Sequence, residues 1–448
     1  MKRYEAYKDS GVEWIGEIPV GWSVIDMSRC ITRTGNGLTR RGHHDESGAW
    51  VLRLRNIGDG IIESGFQSRM ILTDQELSTF KLNPGDFLFV RVNGSRDLVG
   101  KSAIFEGLAE DVAYNDHIIR IQFDDQRCFP QFALRYLQSD AYRREIDLRI
   151  KTSAGQFTVS SDDIKECRFV MPPISEQRAI ADFLDAKTAE IDGLVADCER
   201  EVELLQEYRK AVISEAVTKG LDPNVPMKDS GVEWIGEIPK GWSTTSLQRI
   251  GVAIEQGWSP SPARDWTDDC WKVLSLSAIK NGRFFPNEAK PISIEEKIPS
   301  GLKLQNGDLL ITRSNTRELV GDACLVDCVD DRTIFSDLIY RLTLSSSMID
   351  PVFSLYTLLS ASTRMQFAAN AKGSSGTMPK INHRIIKQLK ICLPPFEEQQ
   401  AIVAYLDAKT AEIDSTIDAK RQMAEKLREY RKSLISEAVT GKFRVPGV

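Results

Sequence analysis

The chain is poor in histidine, with four in 448 residues, and this leaves most of it without the commonest general base and metal ligand. No stretch approaches the roughly 18 consecutive apolar residues that a membrane helix requires. The N-terminal MKRYEAYKDSGVEW has no apolar core of the signal-peptide kind. No CxxC occurs among the eight cysteines, and Cys324 and Cys328 have no second pair or nearby histidines to complete a zinc site. The expectation is reduced thiols in a cytoplasmic protein.

Catalytic motifs are missing too. No GxGxxG is present. Gly100-Lys101-Ser102 ends like a phosphate-binding loop, but Ser95 stands where the motif needs glycine. Met171-Pro172-Pro173 and Leu393-Pro394-Pro395-Phe396 lack the Asn or Asp with which amino-methyltransferases hold a target amine. Glu288-Ala-Lys290 has no matching upstream Asp, and His43-His44 reads as a surface loop. No catalytic and no metal-ligating residues are expected.

What the sequence does have is itself, twice. KDSGVEWIGEIPVGW at Lys8–Trp22 returns as KDSGVEWIGEIPKGW at Lys228–Trp242. PPISEQRAIADFLDAKTAEID at Pro172–Asp192 returns as PPFEEQQAIVAYLDAKTAEID at Pro394–Asp414, and EYRKAVISEAVTKG at Glu207–Gly220 as EYRKSLISEAVTGK at Glu429–Lys442. Between these blocks lie two stretches that share far less. A period this long is a whole domain plus a whole helix.

The periodicities give each copy its architecture. DFLFVRV (Asp86–Val92), SAIFE (Ser102–Glu106), HIIRIQF (His117–Phe123), DLLITRS (Asp308–Ser314) and LIYRLTL (Leu338–Leu344) read as strands. FALRYLQSDAYRREI (Phe132–Ile146) and FSLYTLLSASTRMQF (Phe353–Phe367) read as helical. After each Pro-Pro, acidic residues open a long helix, as the helix dipole favours.

In the first long helix Leu184, Thr188, Ile191, Val195, Cys198, Val202, Leu205, Arg209, Val212 and Ala216 step by four and three. In the second, Leu406, Thr410, Ile413, Ile417, Lys420, Ala424, Leu427, Arg431, Leu434 and Ala438 do the same. These are heptad seams with polar interruptions. Seams of equal length in one chain most simply pair with each other; two amphipathic helices on separate domains are the alternative.

The predicted fold is therefore α+β, with two strand-rich mixed α/β domains in a pseudo-two-fold arrangement. Two long antiparallel helices forming a coiled coil join them. The predicted boundaries are 1–171, 172–227, 228–393 and 394–448. The chain reads as a circle cut once, which would bring Met1 and Val448 together.

The formal charge of −6 argues against nucleic acid only when taken globally. Pro172–Met227 holds 6 basic and 12 acidic residues, whereas Ser243–Leu393 holds 18 basic and 15 acidic. The acid sits on the first helical segment, and a local basic groove on either variable domain remains compatible with it.

WIGEIPxGW, the PPxxEQ helix start, and the repeated AKTAEID and EYRKxxISEAVT resemble the specificity subunit of type I restriction–modification systems, over nearly the whole chain. The resemblance implies that each variable domain is a target recognition domain. Each would read one half of a split, asymmetric site on double-stranded DNA, with the coiled coil fixing the gap. It implies docking of two methylation subunits and two restriction subunits. S-adenosylmethionine, ATP and Mg would belong to those partners, with none in this chain. A stand-alone duplicated DNA methyltransferase or nuclease is the alternative.

Base readout calls for Arg, Asn, Gln and hydroxyl side chains on loops. Two loops recur. Arg91, Asn93 and Arg96 match Arg313, Asn315 and Arg317; Lys151, Ser153 and Gln156 match the segment holding Lys372, Ser374 and Thr377, with Lys380 just beyond. Arg40, Arg41 and His43 have a rough counterpart in Trp258, Ser259 and Ser261, and Arg53, Arg55 and Asn56 complete the first domain. Recurring residues suit phosphate contact, and non-recurring ones such as Arg40, His43 and Gln156 suit specificity. For Arg91 and Arg313, strand-end pairing with Asp86 and Asp308 is the alternative.

Overall fold

The computed structural model describes residues 2–40, 45–66, 68–153, 155–261, 270–292, 298–299, 301–371 and 378–448. The chain divides into two units, Met1–Glu199 with Gln422–Val448, and Arg200–Arg421. Each contains a variable domain, the first half of the helix that follows it and the second half of the other long helix. No described helix is long and apolar enough to cross a membrane.

The middle of each unit is a four-stranded antiparallel sheet. In the first unit the order is Ile31–Asn36, Ile118–Phe123, Phe87–Val90, Ser102–Ile104; in the second it is Ala253–Gln256, Ile339–Thr343, Leu309–Thr312, Ala323–Leu325. Phe87–Val90 and Leu309–Thr312 are buried at every residue, so their apolar runs do not alternate with polar ones. Each sheet separates two cores. Phe87, Phe89, Ile119 and Ile121 pack toward Ile180, Leu184 and Leu434 of the long helices, and Leu88, Val90 and Ile118 pack outward with Leu52 and Tyr114. Leu309 and Ile311 face Val212, Ile402 and Leu406 in the second unit, while Leu310 faces the outer core with Leu274 and Phe335.

A charged pair penetrates each outer core. Asp86 lies 3.8 Å from Arg120, and Asp308 lies 3.1 Å from Arg341. The two acids open equivalent strands and the two arginines sit opposite Leu88 and Leu310. These are the partners of Asp86 and Asp308, in place of Arg91 and Arg313.

The helical stretches after each sheet are both broken in two. Pro130–Leu137 is followed by Asp140–Asp147, and Pro351–Leu359 by Ala361–Asn370. Ser139 and Ser360 stand at the breaks with extended backbones, and their side chains cap the second helix of each pair. Periodicity alone ran through both serines because the apolar spacing survives the break.

The long helices are Ile174–Lys219 and Phe396–Val439, of 46 and 44 residues, or about 69 and 66 Å at ~1.5 Å per residue. In the first unit Asp192 pairs with Arg431 at 2.9 Å and Glu199 with Arg428; in the second, Arg209 pairs with Asp414 at 3.0 Å and Glu201 with Lys420. Ascending numbers on one helix meet descending numbers on the other, so the helices run antiparallel within each unit. The polar interruptions at Arg209 and Arg431 are thereby matched to Asp414 and Asp192 of the repeated AEID. Leu184, Thr188, Ile191, Cys198, Leu406, Thr410, Ile413, Ile417 and Ala424 on the predicted seams are buried.

The repeated motifs hold each domain to its helices. Trp22 Nε1 donates to Glu176 Oε2 at 2.9 Å, as Trp242 Nε1 does to Glu398 Oε2. Gln177 Oε1 accepts from Phe129 N–H at 2.8 Å and Gln399 Oε1 from Asp350 N–H at 2.9 Å, while their amides donate to Pro172 and Pro394 carbonyls. Both glutamines are buried, so their polar atoms must find protein partners. Ser436 Oγ accepts from Asp140 N–H at 2.9 Å and Ser214 Oγ from Ala361 N–H at 2.8 Å. Each domain is thus also clasped by the end of the other copy's helix. Near the chain ends, Arg444 N–H donates to Lys2 O at 2.8 Å, in agreement with the circular reading; Met1 itself lies outside the described residues.

Candidate nucleic-acid interface

In each unit one short turn at the end of the central sheet gathers the candidate loops. In the first it is Asn115-Asp116-His117. Leu38 N–H donates to Tyr114 O at 2.9 Å, Asp116 N–H to Leu38 O at 2.9 Å, Asn115 N–H to Leu52 O at 3.2 Å, and Arg91 N–H to His117 O at 2.9 Å. The segments carrying Arg40, Arg53 and Arg91 are fixed around it. The strand Val92–Asn93 then pairs with Gln156–Thr158, which pairs with Lys151–Ser153. The two recurring loops picked out in the sequence are one three-stranded sheet.

The second unit repeats this frame. Trp258 N–H donates to Phe335 O at 2.9 Å, Arg313 N–H to Leu338 O at 2.8 Å, and Ile381 N–H to Arg313 O at 2.9 Å, with Ser314 bridged to Lys380. These bonds align Leu38 with Trp258, three residues from the rough sequence correspondence, so that Thr39 matches Ser259 and Arg40 matches Pro260. Gly37 and Gly257 precede them. A Cβ at either would stand 2.3 Å from backbone carbonyl oxygens, so each position is closed to any side chain.

The candidate side chains differ in how free they are. Arg40 makes a forked pair with Glu76, Nε–Oε1 2.9 Å and Nη2–Oε2 3.0 Å. That pair holds the Glu76 carboxyl down to about 2. Arg53 and Arg55 are exposed, and Arg53 Nη2 donates to Ser68 Oγ at 3.0 Å. Asn56 is buried, and its Oδ1 accepts from Arg53 N–H at 3.0 Å, which shapes the segment.

Arg91 Nη1 donates to Asp116 O at 3.0 Å, and Arg313 Nη1 to Asp337 O at 3.3 Å with its guanidinium over the Tyr340 ring. Asn93 Oδ1 accepts from Ser95 N–H, and Asn315 Oδ1 from Thr316 N–H. Arg96 donates to Asp147 O at 2.8 Å, Lys151 pairs with Asp163 at 3.0 Å, and Ser259 bonds Asp337. Ser153, Gln156, Ser261, Arg317 and Lys380 are exposed, and Trp258 is half-buried. Arg41, His43, Lys372, Ser374 and Thr377 lie outside the described residues.

The structure adds residues that the sequence reading passed over. Leu274 pairs with Phe335 as Leu52 pairs with Tyr114, so Ser275 and Ser277 occupy the places of Arg53 and Arg55. Ser275 and Ser277 hydroxyls lie 2.8 Å apart, Ser275 donates to Glu288 O at 2.9 Å, and Ser277 donates to the Glu288 carboxylate at 2.5 Å. Aligning VLRLRNIGDG with VLSLSAIKNG would have found them, but hydroxyls carry no charge signal. His383 packs its ring 4.8 Å from Tyr340. Burial, then the Lys387 and Arg313 cations, holds it below the usual imidazole range, so at neutral pH it is a neutral hydrogen-bonding group.

Charged forks and paired hydroxyls on a common backbone edge are suited to hydrogen-bonding base edges and phosphates. Residues 55–203 and 273–425, two-thirds of the chain, match the model of the type I restriction modification DNA specificity domain. A Methanocaldococcus jannaschii protein named for the specificity subunit of type I restriction enzyme MjaX is 26% identical over 440 residues, with 96% of both chains covered. The EcoKI specificity subunit of Escherichia coli K12 is 24% identical over 442 residues, covering 95% of this chain and 90% of its own. A solved structure from work on complex assembly and conformational transition of the type I system shares the fold. Its TM-score is 0.67 at 15% identity, with 94% of this chain and 98% of that chain covered. With the family domain present twice, the chain belongs to the type I restriction modification DNA specificity family.

Proposed function

We propose that this chain is the sequence-reading subunit of a type I restriction–modification complex and is itself non-catalytic. Each unit reads one half of a split site on double-stranded DNA. The observation that carries this is the edge built twice from the same backbone bonds and furnished differently, with Arg53 and Arg55 in one copy and Ser275 and Ser277 in the other. A common frame places each edge against the duplex in the same way. Unlike side chains then read unlike half-sites, and the product is an asymmetric target.

Exposed Arg53 and Arg55 suit the guanine acceptors O6 and N7, and Arg91, Arg96, Lys151, Arg313, Arg317 and Lys380 suit phosphate. The antiparallel helices set the gap between half-sites. The scaffold docks methylation and restriction subunits, which bring S-adenosylmethionine, ATP and Mg; this chain's residues position DNA for them and take no part in bond making.

Methylome sequencing of cells that carry the methylation subunit, with and without this gene, tests the proposal. Methyladenine at one split motif only in the gene's presence is the expected result. Methylation at the same sites in its absence would overturn it.

A further inference from the structure

The two units differ in what surrounds the arginine that pairs with the acid opening the central strand. In the second, Arg341 sits between two carboxylates: Nε donates to Glu255 Oε2 at 2.7 Å and Nη1 to Asp308 Oδ2 at 3.1 Å. Arg120 occupies the same strand position in the first unit, with Asp86 in the place of Asp308. Its Nη1 donates to Lys81 O at 3.0 Å and its Nη2 to Thr79 O at 3.1 Å.

The residue opposite Arg120 is Gly35, where Glu255 faces Arg341. Among the described residues no carboxylate reaches the Nε edge. Arg120 Nε is buried with no hydrogen-bond partner, on a side chain only 4% exposed. A buried guanidinium N–H without an acceptor is costly, and an arriving anion would recover that cost.

There is room for one. An open cavity of about 350 Å³ lies at Arg120, lined also by Arg33, Asp74, Ser78, Lys81 and Asn83. Arg33 is exposed and has no ion-pair partner among the described residues. Lys81 shares a half-exposed surface pair with Asp111, a contact of small worth that an anion can compete for. Asp74 is the one acid in the lining, while Asp86 and Asp111 pair with Arg120 and Lys81 from outside it and leave Arg33 as the cation without an ion pair among the described residues.

Tyr114 replaces Phe335 beneath the arginine, and its hydroxyl lies 3.4 Å from Gly35 O. A Cβ on residue 35 would meet that hydroxyl at an ordinary 3.4 Å, so a side chain can be placed at this strand position. The helix Asp74–Phe80 supplies Asp74 and Ser78 to the cavity and holds Arg40 through Glu76, so the cavity adjoins the reading edge.

We propose that this cavity binds one phosphate group, in the place that the Glu255 carboxylate fills in the second unit. If the DNA-reading function of the previous section holds, the source is a backbone phosphate flanking the first half-site; free phosphate offers the same chemistry.

Calorimetric titration of the full chain with inorganic phosphate is the test, on wild type, Gly35→Glu, Gly35→Ala and Arg33→Gln. One site is expected in the wild type, retained in Gly35→Ala, weakened roughly tenfold or more in Gly35→Glu and severalfold in Arg33→Gln. A wild type that binds none, or variants that all bind alike, would overturn the proposal. If Gly35→Glu misfolds, Gly35→Ala against Arg33→Gln still decides it.

The salt dependence of duplex binding separates the sources. A backbone phosphate in the cavity makes the log–log slope shallower by about one in Arg33→Gln. Equal slopes overturn the DNA source and leave free phosphate as the ligand. A wild type that binds no duplex at any salt would sink the reading function and leave the phosphate titration standing.

Discussion

After the strand Ala49–Leu52 the first unit continues Arg53-Leu-Arg55-Asn56, and after Lys272–Leu274 the second continues Ser275-Leu-Ser277-Ala278. The leucines between are the same, the backbone pairing is the same, and the outward side chains are not. Beneath this edge the comparison reverses. Trp22 with Glu176, Gln177 with the Phe129 N–H and Ser436 with the Asp140 N–H all have twins in the second unit, at distances within about 0.1 Å. Uniform interior bonds with divergent rim residues are what interchangeable reading heads on one mount require.

The sharpest way to break the comparison is to make the edges alike. Arg53→Ser with Arg55→Ser gives the first unit the second's side chains. Each bidentate arginine–base contact is worth about 1–3 kcal/mol, so recognition of the first half-site should fall by about 10²-fold or more while the second half-site stays unchanged. Methylome sequencing reads both halves of the motif at once. Equal change in the two halves would mean that these residues hold the fold and do not read bases.

A smaller effect separates the two mounts. Glu176 accepts from both Trp22 and the Tyr4 hydroxyl, at 2.9 and 3.0 Å. Among the described residues Trp242 is the one side-chain donor that Glu398 has. Trp22→Phe and Trp242→Phe should each destabilise their own unit by about 2–3 kcal/mol, with Trp242→Phe costing about 1 kcal/mol more. Denaturant unfolding followed by hydrogen exchange, which resolves the units, measures the difference.

The smallest effect concerns Arg40, whose structural counterpart is Pro260. Glu76 is held to about 2 by the Arg40 fork, below its ordinary 4.5. A depressed carboxylate stabilises above its unfolded value, so this contribution persists down to about pH 4.5 and is lost as pH falls toward about 2. Across the working range Arg40 stays tethered. Glu76→Gln should release it and tighten duplex binding a few-fold at low salt, with no change in the second half-site. Filter binding at two salt concentrations would show whether it does.

The parts of the fold legible in the sequence were those written in local periodicity. The heptad seams, the Pro-Pro helix starts and the strands DFLFVRV and DLLITRS stand where spacing puts them, because burial along a single element leaves a repeating pattern. The turn Asn115–His117 left no such trace. Its role depends on bonds to Leu38, Leu52 and Arg91, which are distant in sequence. The partners of Asp86 and Asp308 were invisible for the same reason: Arg120 and Arg341 reach them across the sheet, while Arg91 and Arg313 were merely nearer along the chain. Of the interface, charged residues drew attention and Ser275 and Ser277 did not, although both follow from one alignment of the two variable domains.

The division of the long helices between units also sets an order of events at the ribosome. Arg200–Arg421 is continuous, so the second unit is complete when Arg421 has emerged. The first begins earlier but lacks Gln422–Val448, with the Ser436 clasp on Asp140 and the Arg431 partner of Asp192. It is started first and finished last. A premature stop or a proteolytic nick near residue 421 would therefore spare the later-encoded unit and disable the earlier one.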